Sequence, residues 1–120
     1  MRNNEELKAR TKAYALRVIK LVEALPQHRT AEVIGRQLLR AATSVGANYR
    51  AACRAKSTAD FIAKMGIVEE EADECLYWME LLIDSGLVPH SRLTELMAEG
   101  NALVAIVVTS IKTARQRKAQ

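Results

Sequence analysis

Apolar residues recur along this chain at intervals of three and four, the period of a helix buried on one face. Leu7, Thr11, Tyr14, Val18, Leu21, Val22 and Leu25 share one face and predict a first helix over about 5–25, stopped by Pro26. Ile34, Leu38, Ala41, Val45, Tyr49 and Ala52 predict a second helix over about 31–54. Thr30 is placed to cap it, and Glu32 in its first turn suits the helix dipole. At 100° per residue, Arg36, Arg40, Thr43, Ala47, Arg50 and Arg54 fall on the far side. Gln37, Ser44 and Asn48 form a stripe on the flank.

The segment Ser57-Thr58-Ala59-Asp60 resembles a capping box with Asp in place of Glu. It opens a third helix over about 58–84, which Gly86 ends. Phe61, Met65, Val68, Ala72, Cys75, Leu76, Met79 and Ile83 make its core face, while Ile67, Trp78 and Leu81 lie outside it. A fourth helix follows Pro89 over about 91–115, with Leu93, Leu96, Met97, Gly100, Val104, Val107 and Ile111 as its stripe. Between Leu103 and Val108 this helix is apolar almost all the way round. Such a helix should be buried all round, which one neighbouring pair of helices in a lone bundle does not easily provide.

Connections of about four to six residues force antiparallel neighbours. The expected fold is therefore all-α: an antiparallel up-down-up-down four-helix bundle forming one domain over residues 1–120. Composition agrees. Only five Gly and two Pro occur, and about half of the chain is hydrophobic. No uninterrupted apolar run nears the roughly 18 residues that span a bilayer. No apolar signal core follows Met1 to Glu6. A cytoplasmic location without membrane attachment is the expectation.

The sequence offers little catalytic chemistry. His28 and His90 are the only histidines, and both fall in loops, so a di-iron set of Glu-x-x-His pairs is missing. Cys53 and Cys75 lack a CxxC spacing and read as free thiols on helices. There is no Gly-rich phosphate loop, Gly-x-Ser-x-Gly or HExxH. The carboxylates Glu69, Glu70, Glu71, Asp73 and Glu74 suit a solvated or salt-bridged helix face better than acid–base work. No enzyme activity, metal or cofactor is expected.

Charge is more informative. Residues 1–56 carry a net +8, residues 57–99 a net −8, and residues 100–120 a net +4. In the expected topology Arg2, Lys8, Arg10, Arg50, Arg54, Lys56, Arg115, Arg117 and Lys118 gather at one end. A basic end of this kind neutralises phosphates and releases counterions. Lys and Arg also favour helix C-termini, which accounts for Arg54, Arg115, Arg117 and Lys118 but not for Arg2, Lys8 and Arg10. The aromatic residues Tyr14, Tyr49, Phe61, Tyr77 and Trp78 look mid-helix or core-like, so binding through the nucleic-acid backbone is expected rather than base reading.

Away from that end, Arg36 and Arg40 oppose an acidic stripe of Glu70, Glu71 and Glu74. Such stripes pair either within a subunit or across a subunit interface. Ile67, Trp78 and Leu81 border the acidic stripe. With Leu103 and Ile106 of the apolar fourth helix, these residues form a candidate homo-oligomer interface. Unlike patches suit head-to-tail contact in a closed ring.

Two blocks carry a family resemblance. The first is Gln37-Leu38-Leu39-Arg40-Ala41-Ala42-Thr43-Ser44-Val45-Gly46-Ala47-Asn48-Tyr49. The second is Phe61-Ile62-Ala63-Lys64-Met65-Gly66-Ile67-Val68, followed by Glu70-Glu71-Ala72-Asp73-Glu74 and Tyr77-Trp78-Met79. Over about residues 7–115 the chain resembles a bacterial family of four helix bundle proteins, the 23S ribosomal RNA intervening-sequence proteins. That resemblance implies a homopentameric ring without known enzymatic activity. It extends to the accessory protein of diversity-generating retroelements, which implies nucleic acid and a reverse transcriptase as partners. Where many members read Asn-Ile-Ala-Glu-Gly, this chain has the more basic Asn48-Tyr49-Arg50-Ala51-Ala52-Cys53-Arg54. Arg40, Ser44, Asn48, Glu71 and Glu74 match recurrent polar positions of the family, which we take to set helix register. The expected function is a non-enzymatic homo-oligomeric scaffold that binds RNA, DNA or a nucleoprotein through its basic end. A protein–protein adaptor that binds no nucleic acid is the alternative.

Overall fold

Four helices account for most of residues 4–119, the part of the chain described by this computed structural model: α1 (Asn4–Glu23), α2 (Arg29–Ala52), α3 (Thr58–Asp84) and α4 (His90–Ala119). No strand occurs among the described residues. The helices pack into a rod of 52 × 20 × 20 Å. The local signals explain each boundary. At the end of α1 the last turn tightens: the Ala24 and Leu25 amides reach the Leu21 and Val22 carbonyls three residues back. The helix thus finishes two residues before the expected limit.

His28, not Thr30, caps α2: its Nδ1 accepts from the Thr30 amide at 3.2 Å. At α3 the Ser57 Oγ accepts from the Asp60 amide, while the Asp60 carboxylate reaches back to the Lys56 amide. Gly86 stops α3 with φ of 80°. The Leu87 amide then bonds the Leu82 carbonyl and the Gly86 amide the Ile83 carbonyl, the pattern of a Schellman cap. α4 runs past the expected 115 because Ala114 to Ala119 are helix formers with no Gly or Pro among them.

Helices consecutive in sequence pack together, and α2 and α3 pack most extensively. Tyr49 Oη lies 3.4 Å from Asn4 Oδ1. Further along, Gly46 abuts Thr11, and Gly35 abuts Val22 and Leu25. Positions that rise along α1 thus fall along α2. α1 and α4 share much the smallest contact. They meet where Gly100 brings α4 against Tyr14 and Leu76. A Cβ there would sit 3.0 Å from the tyrosine oxygen and 2.9 Å from Leu76 Cδ2.

The core follows the expected stripes with several differences. Ala31, Ala42 and Ala114 are buried outside them, and Phe61, Ile83, Met97 and Val104 within them are only half-buried. Leu82 and Leu103 are fully buried, although the period assigned neither to a core face. For Leu103 this is a correction: it belongs to the chain's own interior and has no surface to offer a second copy. α4 is wide enough in its apolar arc to bury both Leu103 and Val107, leaving Val104, Ile106 and Val108 half-buried. α4 is also long and apolar enough to cross a membrane by length and composition. Uncharged Thr, Ser, Asn and Gly interrupt its apolar residues, which is why no continuous run appears in sequence. Its stripe of Leu93, Leu96, Leu103, Val107 and Ile111 lies buried against the other helices.

Candidate nucleic-acid interface

The start of α1, the end of α2, the start of α3 and the last turns of α4 converge on one groove of about 1040 Å³. Asn4 and Leu7 contribute from α1, and Tyr49 and Ala52 from α2. The turn adds Cys53, Ala55 and Lys56, and α3 adds Thr58 and Phe61. Opposite them stand Ala105, Ile106, Thr109, Ser110, Thr113, Ala114 and Arg117 of α4. Beyond the groove, α1 and α4 are tied by Arg10 to Glu99 and by the approach of Gly100 to Tyr14.

Cations surround this end. Arg50, Arg54, Lys56, Arg115, Arg117 and Lys118 are all exposed. Among the described residues none of the six forms an ion pair. The other sequence candidates sit differently. Lys8 pairs with Glu5 at 3.0 Å. Arg10 makes a two-pronged bond to Glu99, at 2.8 Å from Nε and 2.9 Å from Nη2, so it ties α1 to α4. Arg2 lies outside the described residues. Sequence reasoning also passed over Lys12, Arg17 and Lys20, which are exposed along α1. Arg17 and Lys20 join Arg92 around a second cleft of about 290 Å³. Their signal was the far side of the α1 stripe, where basic residues alternate with the exposed Leu16 and Ile19.

The Arg10 hydrogen bond holds the Glu99 carboxyl below its ordinary value of 4.5, while burial works the other way. A depressed carboxylate stabilises the fold above its unfolded pKa. That contribution is lost as pH falls below about 4.5 and through the folded value. Glu99→Gln is therefore expected to cost about 1 kcal/mol at pH 7, since both partners are partly solvated. The cost should shrink progressively in urea titrations at pH values falling below about 4.5.

The opposed stripes of α2 and α3 meet within the subunit. Arg40 Nη1 bonds both oxygens of Glu71, at 3.2 and 3.3 Å, and Nη2 bonds Glu74. Trp78 Nε1 also donates to Glu74, at 3.0 Å. These groups are thereby engaged inside one chain and fix how α2 lies on α3. Asn48 Nδ2 caps the Ser44 carbonyl on the same helix. Arg36 and Glu70 remain exposed, Ile67 keeps 42% of its surface and Tyr77 keeps 53%. Trp78, Leu81 and Ile106 are half-buried, with Ile106 on the groove wall.

The two thiols differ. Cys53 faces the groove, whereas Cys75 is buried and burial pushes its pKa up to about 12. Thiol titration of native protein at pH 8 should modify Cys53 promptly and Cys75 only on unfolding. A second fast thiol would contradict this core. Beside Cys75, burial also raises the Tyr14 hydroxyl, which finds no well-aligned hydrogen-bond partner. Among the described residues no three His, Cys, Asp or Glu side chains gather into a metal-binding group.

Residues 4–109 match the 23S rRNA-intervening sequence protein family. Among solved structures, a protein of unknown function from the S23 ribosomal protein family of Bacteroides thetaiotaomicron is similar, with a TM-score of 0.84 and 32% identity. The match covers 91% of this chain and 97% of that one. The search of curated proteins found no match. The family match spans α1, α2 and α3, both sequence blocks and the first two thirds of α4, so this chain belongs to the 23S rRNA-intervening sequence protein family.

Proposed function

We propose that this protein is a non-enzymatic, homo-oligomeric scaffold whose basic end binds the backbone of nucleic acid or a nucleoprotein. One observation carries the reading: six exposed cations that form no ion pair among the described residues gather toward one end of the rod. Of the other cations, Arg10 and Arg40 bond carboxylates, while Lys12, Arg17, Lys20 and Arg36 are exposed along the helices rather than gathered at this end. Six solvated charges left together cost self-repulsion, which a polyanion relieves. The order of contacts along α1 and α2 supports an up-down-up-down bundle, in which the start of α1, the α2–α3 turn and the last turns of α4 share this place. We place the protein in the cytoplasm, with one face of α4 packed into the core.

For assembly, the exposed α3 face of Ile67, Glu70 and Tyr77, with half-buried Trp78 and Leu81, is suited to meet a basic patch of another copy. A head-to-tail ring, five-membered by family resemblance, follows from such unlike patches. A monomer across the micromolar range in sedimentation equilibrium would overturn the oligomer. The same face also favours a second reading, an adaptor for a protein such as a reverse transcriptase.

The deciding experiment is fluorescence anisotropy with labelled RNA and DNA over a salt series. Binding that weakens steeply with salt is expected, and its slope counts phosphate contacts. No binding at low salt would overturn the nucleic-acid reading and leave the adaptor.

A further inference from the structure

We propose that the groove at the basic end takes unpaired nucleobases, so that the preferred ligand is single-stranded nucleic acid rather than duplex. This deepens the function proposed above and rests on it. Sequence reasoning dismissed the aromatics as core-like. Phe61 does both: it packs against the edge of the core and also lines the groove. It lies in the first turn of α3 and lines the groove half-buried, one helical turn beyond the Ser57 cap. Lys56 and Arg117 line the same groove from opposite sides.

The chemistry matches a nucleotide in three respects. The ring of Phe61 and the side chain of Ile106 give an apolar wall for a base face. Thr109 and Ser110 offer hydroxyls, which donate to or accept from base edges of any identity. Lys56 and Arg117 stand where phosphates would flank the base. A cationic rim around an aromatic floor is the arrangement by which proteins hold single strands. A duplex keeps its base faces stacked and can use only the rim. The positive rim also favours a polyanion over an uncharged apolar ligand or a basic helix.

The test uses a short oligonucleotide carrying 2-aminopurine, alone or annealed into a blunt duplex, with full-length protein at one salt concentration. Wild type should bind the single strand about tenfold more tightly than the duplex, with a change in 2-aminopurine emission on stacking. Phe61→Leu should lose about tenfold for the single strand and nothing for the duplex, at an unchanged salt slope. Phe61→Trp should restore the preference, which a purely packing role would not do. Thermal melts confirm that both variants fold. Equal binding of strand and duplex, indifferent to Phe61, overturns the base-binding groove and leaves phosphate binding standing. If neither nucleic acid binds at low salt, the proposed function falls with it. If Phe61→Leu instead dissociates the oligomer and leaves strand affinity unchanged, a second copy occupies the groove and the proposal is overturned.

Discussion

Reversing three charges, Arg50→Glu, Arg54→Glu and Lys56→Glu together, should lower nucleic-acid affinity at least about a hundredfold at 0.1 M salt. Each lost phosphate contact also removes about 0.7–0.9 from the slope of log affinity against log salt. The slope should therefore fall by about 2 to 3. All three side chains are exposed and none is ion-paired among the described residues, so no internal bond is broken. The one structural cost is at the C-terminus of α2, where acidic residues oppose the helix dipole by about 0.3–1 kcal/mol each. A melt measures that cost separately. Arg36→Glu is the control, because Arg36 is exposed but remote from this end. Anisotropy should show it close to wild type. Should the triple variant bind as wild type does, with the same slope, the end is basic for helix capping alone.

Much of this molecule can be read from the order of its residues, because its rules are local. The period of Leu7 to Leu21 and of Ile34 to Ala52 places two core faces, and all of those residues are buried, with Ala31, Gly35 and Ala42 buried beside them. Ser57 and Gly86 mark the limits of α3 by capping chemistry that acts over three or four residues. Only one misreading is local; the other points, misread or left open, are set by packing. Thr30 looked like a cap from its type, yet a histidine two residues earlier offers its ring nitrogen. Arg40 faces away from the α2 stripe, and only the lie of α3 decides that Glu71 and Glu74 reach it inside one subunit. Arg10 looked like a member of the cationic end until α4 supplied Glu99. Phe61 fitted the core period of α3. Whether a residue in the first turn of a helix is covered depends on its neighbours, and a groove lined by all four helices opens beside Phe61. Periodicity describes one helix at a time, whereas a groove belongs to four.

Leu103 gives the largest expected effect on stability. An apolar position on a helix that is apolar all round suits either an interface or a core, and the two assignments predict opposite outcomes for one substitution. Leu103 is 0% exposed within a single chain, among the largest fully buried side chains. Leu103→Ala removes packed methyl groups and leaves a cavity, which costs about 3 kcal/mol for a leucine at such a site. For a chain of this length that lowers the melting temperature by roughly 10 °C. The native subunit stoichiometry below the transition should not change, because the side chain touches only its own chain. Urea melts paired with sedimentation at the same concentration separate the alternatives. A small loss of stability accompanied by dissociation would put Leu103 at the subunit boundary. Ile106, three residues on, sits half-buried on the groove wall. Ile106→Ala should cost less than half as much, since part of its surface is already in water. The contrast between these neighbours measures where the core of α4 stops and its exposed groove begins.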